Sequence, residues 1–494
     1  MAREVTADRK AAGSTSAVLV VPAVAAASAA GRPFVRIAFS AWAAAFAVGA
    51  LIHSWQGAQS PWSIGTVVAV AAVAVILRPT SPARLVVLFG VLVVETFIDL
   101  PDLVNHLIVV GVLGSTFVGW WLVLSWRSPE QAHDPGVLYE RVAPYLRVAF
   151  IMTFAFAAVA KFNTGFTDVA TTCSVWILES IPGVRVPLAL APLVIAGTMA
   201  LELAVPALLM FHRTRPFAVI LGFGFHLVSA FAGHASFSGF AWSFYLLFLP
   251  PAVIARAVVV ARRGLPDRVR TGIAVAVART PLTLAVFAVA WVAGVGAVLL
   301  APGSLHWRIH WMSAALICTV WMVGCGWLLV TLRRHWLGAP GPRASLRVRN
   351  GVMLLGLGLL VVTAATPYLG LKSRGAFTMF SNVRTEPGHW NHLFIPESVR
   401  VFGWQDGEVQ FLDTDDPALA AAIDDHAGSN RTVALEARRL VGDFPDATVR
   451  YELDGVGRVA APVSTDPVLG QPVSPAQEWF GAMRPFTDSG QCQH

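Results

Sequence analysis

The sequence predicts an all-α polytopic membrane protein of about 11 transmembrane helices, carrying a small C-terminal extracytoplasmic α+β domain. Three observations predict it. Of 494 residues, 56% are hydrophobic and only 13% are charged, about half the charged fraction of a soluble domain, and mean hydropathy is +0.64. Apolar runs near the ~20 residues that a bilayer requires recur along the first three quarters of the chain. From about Gly375 the composition turns polar and rich in turn residues.

Taken in order, residues 1–33 are polar and then rich in Ala, Val and Ser. The stretch Ala17–Ala30 is short for a span, which predicts a flexible or interfacial leader, with an uncleaved signal as the other option. Apolar runs follow at 34–54, 62–77, 84–100, 103–125, 143–161, 188–211, 216–235, 238–260, 280–301, 309–332 and 351–370, the eighth with a potential break at Pro250-Pro251. Residues 34–300 form the main transmembrane domain in this reading, 301–374 supply additional transmembrane helices, and 375–494 form the C-terminal domain. In that last part Val399–Phe402, Glu408–Leu412 and Ala447–Leu453 read as strands, and Pro417–His426 and Arg431–Leu440 as helices.

The net charge of +7 resides largely in short loops and is no signal for nucleic acid. Arg78 and Arg84 follow the second run, Arg127, Arg141 and Arg147 the fourth, Arg213 and Arg215 the sixth, and Arg256, Arg262 and Arg263 open the cluster after the eighth. The intervening loops, such as Gln56–Pro61 and Asp99–Asp102, are poor in cations. This alternation predicts a multi-pass cell-membrane protein with a cytoplasmic N-terminus and an extracytoplasmic C-terminus. Cys318 and Cys325 share one helix face and read as packing thiols, whereas Cys173 and Cys492 both fall outside the cytoplasm and either pair or stay free.

Ionisable groups inside spans are the functional candidates, because lipid penalises them. They are Asn105-His106 near the start of the fourth run, Lys161 at the end of the fifth, Glu202 deep in the sixth, and His226 in the middle of the seventh with His234 at its end. Each has a structural alternative. Lys161 can snorkel to the headgroups, His106 and His226 can be neutral interhelical donors, Glu202 can be protonated or paired with an arginine, and Asp99 and Asp102 can be solvated or helix-capping. Phosphate-binding, dinucleotide, zinc and serine-hydrolase motifs are absent from the sequence, and no metal site is expected.

The stretch Ala157-Ala-Val-Ala-Lys161-Phe162-Asn163 resembles the one bearing the catalytic lysine of vitamin K-dependent γ-glutamyl carboxylases. The order Glu202 … Pro206 … His212-Arg-Thr-Arg-Pro216 … Phe225-His226 … Phe248-Leu249 is similar to the part of that family that follows, and Val104-Asn105-His106-Leu107 to its Asn-His pair. The wider group is the HTTM (horizontally transferred transmembrane) superfamily, and Phe377–Glu386 with Asn391-His392-Leu393 resembles its bacterial members. The resemblance covers residues 35–300 and implies a quinol-dependent carboxylase, a lyase acting on carbon–carbon bonds. Its cofactor would be a reduced naphthoquinone (vitamin K hydroquinone or menaquinol), with CO2 and O2 as co-substrates. Lys161 would deprotonate the quinol, His106 would assist, and Asn105, His106, His226 and Glu202 would line the cofactor site. Desolvation favours the neutral amine that a lysine base requires. Partners would be the bilayer and a secreted or membrane protein substrate. Only about 120 residues lie outside, fewer than the animal enzymes use to hold their substrate. The alternative is a non-catalytic protein that binds a quinone or lipid, or a membrane scaffold for a secreted partner; a transporter is a weaker third.

Overall fold

The structure is a computed structural model that describes residues 16–58, 60–101, 103–301, 305–337, 344–425, 430–484, 486 and 492. Its first part is helical: α1 (Ser16–Gln56), α2 (Ile64–Leu77), α3 (Pro82–Ile98), α4 (Asn105–Arg127), α5 (Pro129–His133), α6 (Pro135–Ala160), α7 (Thr164–Thr167), α8 (Cys173–Glu179), α9 (Ala191–Met210), α10 (Arg215–Phe231), α11 (Ala235–Leu246), α12 (Pro251–Gly264), α13 (Asp267–Ala278), α14 (Thr280–Leu299), α15 (Leu305–Leu337) and α16 (Gly351–Ala365). Residues 1–15 and Asp102 lie outside the described residues, but from Ser16 onward the alanine-rich stretch continues into α1, as its high helix propensity favours.

The chain is a multi-pass membrane protein, but the expected count of about eleven full spans is not met. Among the described residues, five helices are long and apolar enough to cross a bilayer, or six if α11 and α12 count as one span bent by 117°. Shorter apolar stretches of 10–17 residues are α2, α10, α16 and Trp311–Trp327 within α15. Length is the physical reason: α2, at 14 residues, rises about 21 Å at 1.5 Å per residue, short of a ~30 Å hydrocarbon core. The α11–α12 bend falls at Pro250-Pro251, where proline constrains the preceding residue and removes amide donors.

α1 runs through the core and crosses α11 where glycine meets glycine. A Cβ on Gly49 would lie 2.8 Å from the Gly239 carbonyl carbon, so small residues set the approach, as at many membrane helix crossings. Phe46 stacks on Phe89 at 4.4 Å and tilts against Phe240 at 5.2 Å. One end of the bundle is closed by two buried arginines. Arg147 donates to Leu247 O (2.6 Å) and Ser345 O (2.9 Å), and Arg215 to Leu209 O (2.8 Å) and Ala344 O (2.6 Å). The perimeter is apolar, with Trp126, Leu188, Val289 and Leu300 all more than two-thirds exposed, as a lipid-facing surface requires.

The C-terminal region carries one antiparallel sheet of order β2-β1-β3-β4, from β1 (Glu408–Thr414), β2 (Arg431–Val433), β3 (Val449–Leu453) and β4 (Val456–Ala460). Helices α17 (Pro417–Asp425), α18 (Ala434–Val441) and α19 (Pro475–Phe480) accompany it. Val409, Phe411, Leu419, Val449 and Tyr451 form its core. Two expectations are corrected. Val399–Phe402 is no strand, since Val401 and Phe402 donate to Leu369 O beside the bundle. Arg431–Val433 opens as strand β2, and the helix starts only at Ala434. β4 was not foreseen; it follows the tight Asp454-Gly455 turn, where both residues have positive φ.

This region seats on the end of the bundle opposite the buried arginines. Phe377 N donates to Asn105 Oδ1 (2.6 Å), Asn163 Nδ2 to Ser381 O (2.6 Å), and His392 Nε2 lies 3.1 Å from Val159 O. Cys173 and Cys492 form a disulfide across the same end, while Cys318 is buried and free.

Candidate functional site

α6 ends at a pinned turn. Asn163 caps α7 by accepting from Phe166 N (2.8 Å), and its amide donates to Ala160 O (2.7 Å) and Ser381 O. Lys161 occupies the C-cap of α6 within this turn and points inward. A snorkelling lysine would reach water, but Lys161 is 3% exposed. Its Nζ lies 2.9 Å from Glu202 Oε2, 3.4 Å from Met379 O and 5.6 Å from the centroid of the Phe166 ring. Glu202 is 6% exposed in the middle of α9, four residues before Pro206. Proline offers no N–H to the carbonyl of Glu202, so the helix is locally loosened where it presents the carboxylate. Glu202 is therefore paired with the lysine rather than with an arginine.

The pair lies in the wall of a cavity of about 420 Å3 between α6, α9 and α10. Phe154, Ala157, Leu201 and Phe225 make most of it apolar, and His234 and Phe237 close one side. The roof is Phe377, Met379 and Phe380 from the segment that leads to the sheet. In that segment Phe377 (φ 59°), Phe380 (φ 52°) and Asn382 (φ 52°) are left-handed, a conformation rare for phenylalanine and costing about 1–3 kcal/mol each. Such a cluster over a cavity is where strain is found in functional sites.

The other candidates lie nearby but apart. His226 is fully buried with neither ring nitrogen hydrogen-bonded among the described residues, and sits behind the cavity wall among Phe154, Phe225, Phe237 and Tyr245, at 5.1–5.7 Å between centroids. Asn105 and His106 do not line the cavity. Asn105 instead ties down its roof through Phe377. His106 turns toward α1: its Nε2 is 3.1 Å from His53 Nδ1, and His53 Nε2 is 3.4 Å from Glu95 Oε2. His53 and Glu95 were missed by sequence reasoning, although both are ionisable residues inside the apolar runs 34–54 and 84–100, the same signal that selected Lys161. Among the described residues, no group of three or more His, Cys, Asp or Glu side chains could hold a metal ion.

The arrangement can hold an apolar molecule and exchange a proton with it. Its volume falls in the usual range of small-molecule sites, with apolar walls and few polar groups. No protein-family model, curated protein or solved structure matches the chain.

Proposed function

We propose that the protein is an integral-membrane, quinol-dependent enzyme of carboxylase type, in which Lys161 is the base and Glu202 its proton partner. The observation that carries this reading is the Lys161–Glu202 pair buried in the wall of an apolar cavity. Away from water, a lysine and a glutamate share one proton between two arrangements, ammonium with carboxylate or amine with carboxylic acid. The second leaves a free amine on Nζ that can take a phenolic proton. Met379 O and the Phe166 ring hold the ammonium that results. The roof segment excludes water, and Asn105 positions it. When bound, a reduced naphthoquinone supplies that phenolic proton and, with O2, the driving force for removing a γ-proton from a glutamyl side chain before CO2 adds.

The Lys161 end of the bundle faces the extracytoplasmic side in this proposal. The Cys173–Cys492 disulfide supports it, because such bonds persist in oxidising compartments. So do the arginine-rich loops toward the opposite end. A non-catalytic lipid-binding protein is the second reading, favoured by the almost wholly apolar cavity wall.

Turnover separates the two. The protein in nanodiscs, given menaquinol, O2, labelled bicarbonate and a glutamyl peptide, should fix label, and Lys161→Ala should lower the rate by about 10²-fold or more. Label fixation unchanged in Lys161→Ala would overturn the role of the lysine; no fixation by the wild type, with quinol still bound, would favour the second reading.

A further inference from the structure

Beside the cavity lies a second buried acid–base system. His53 is near the end of α1, Glu95 near the end of α3, and His106 at the start of α4. His53 and Glu95 are 7% and 5% exposed. The Phe240 ring lies 5.9 Å from the His53 ring and 6.1 Å from that of His106, which is half-buried. Among the described residues, Glu95 has no lysine or arginine partner, and its Oε2 accepts no aligned hydrogen bond. An isolated buried carboxylate is costly, and the nearest group able to give it a proton is His53 Nε2.

The chain of groups has two ends. On one side Asp99, exposed and one turn beyond Glu95, is within electrostatic reach of Glu95 and His53. On the other, His106 adjoins Asn105, which holds the cavity roof, and is within electrostatic reach of His234 in the cavity wall. The titratable groups facing the two imidazoles are thus Glu95, Asp99 and His234.

We propose that His106, His53 and Glu95 form a proton relay between the cavity wall and the exposed rim at Asp99. A proton arriving at His106 Nδ1 lets the Nε2 proton pass to His53 Nδ1. The His53 Nε2 proton then passes to Glu95 Oε2, converting carboxylate to carboxylic acid. One N–H bond forms and one breaks on each ring, one O–H bond forms on Glu95, and one positive charge moves with no oxidant or reductant. Rotation of the rings, with loss of the Glu95 proton toward Asp99, resets the chain. Its purpose, clearing protons from the cavity, rests on the quinol-dependent reading; its existence does not, because the relay touches neither Lys161 nor Glu202.

The test is histidine titration in the full chain, ¹⁵N-labelled at histidine and embedded in nanodiscs, followed by solid-state NMR. A carboxylate acts on His106 through space even without contact, so the tautomer is read beside the titration: the relay holds the neutral His106 proton on Nε2 and leaves His53 Nδ1 unprotonated. The relay predicts that Glu95→Gln shifts the protonation constants of both His53 and His106 by about tenfold, and that Lys161→Ala shifts neither. If Glu95→Gln fails to fold, Glu95→Asp, which keeps the acid but shortens its reach, should shift both in the same way. An unchanged His106 titration in a folded Glu95 variant would overturn the proposal, whether or not menaquinol is turned over.

Discussion

The contact between Lys161 and Glu202 places two opposite charges where aliphatic and aromatic side chains surround them. Burying either alone costs several kcal/mol, so removing one partner is expected to be worse than removing both. Lys161→Met should destabilise the protein by about 3–5 kcal/mol, whereas Lys161→Met with Glu202→Leu should come back close to the wild type. Chemical denaturation in detergent reads both, and additive losses would show that the two side chains do not act as a pair. Lys161 was legible in the sequence because a cation ending an apolar run stands out. Its pairing with Glu202 was not, although Glu202 itself stood out as an acid in an apolar run, since the two lie on different helices and periodicity says nothing about which faces meet. The His53–Glu95 contact was hidden for the same reason, and the roof residues Phe377, Met379 and Phe380 because their path depends on left-handed backbone that their residue types do not announce.

Helix positions were largely readable from the apolar runs, whereas full crossings were not, since a run of hydrophobic residues does not reveal where a turn, a proline pair or a cap will cut it. The α1–α11 crossing shows what such runs leave out. Gly49 and Gly239 are ordinary in sequence, yet they set the distance between two central helices. Gly49→Ala should cost about 1–3 kcal/mol, since the added methyl meets backbone that cannot swing aside; an unchanged unfolding midpoint would refute the close crossing. In the sheet, Glu408 on β1 accepts from Arg431 on β2 (2.7 Å) and lies 2.9 Å from His389 Nε2. Burial alone would raise the pKa of its carboxyl, but the hydrogen bonds of His389 and Arg431 outweigh it and hold the pKa below the ordinary 4.5. A depressed carboxylate stabilises the fold above its unfolded pKa, and that stability is lost as pH falls through the folded value. Amide protection factors in β1 and β2, corrected for the intrinsic exchange rate, should therefore fall as pH drops below about 4.5, and Glu408→Gln should flatten that acid dependence.

Over the whole molecule, two ends are chemically distinct. Buried arginines and the 344–345 segment close one; the disulfide, the sheet region and the cavity occupy the other. The Cys173–Cys492 bond joins positions 319 residues apart, and its reduction should lower stability by about 2–4 kcal/mol. A loss of this size on adding reductant to the native protein, absent in Cys492→Ser, would tie the effect to that bond. In the proposed function the cavity beside Lys161 and Glu202 takes a reduced naphthoquinone. Cryo-electron microscopy of the protein in nanodiscs with menaquinol tests it most directly. Ring density is expected in the cavity with an oxygen within hydrogen-bond distance of Lys161 Nζ; acyl-chain density there, or the quinol bound elsewhere, would refute a quinol site.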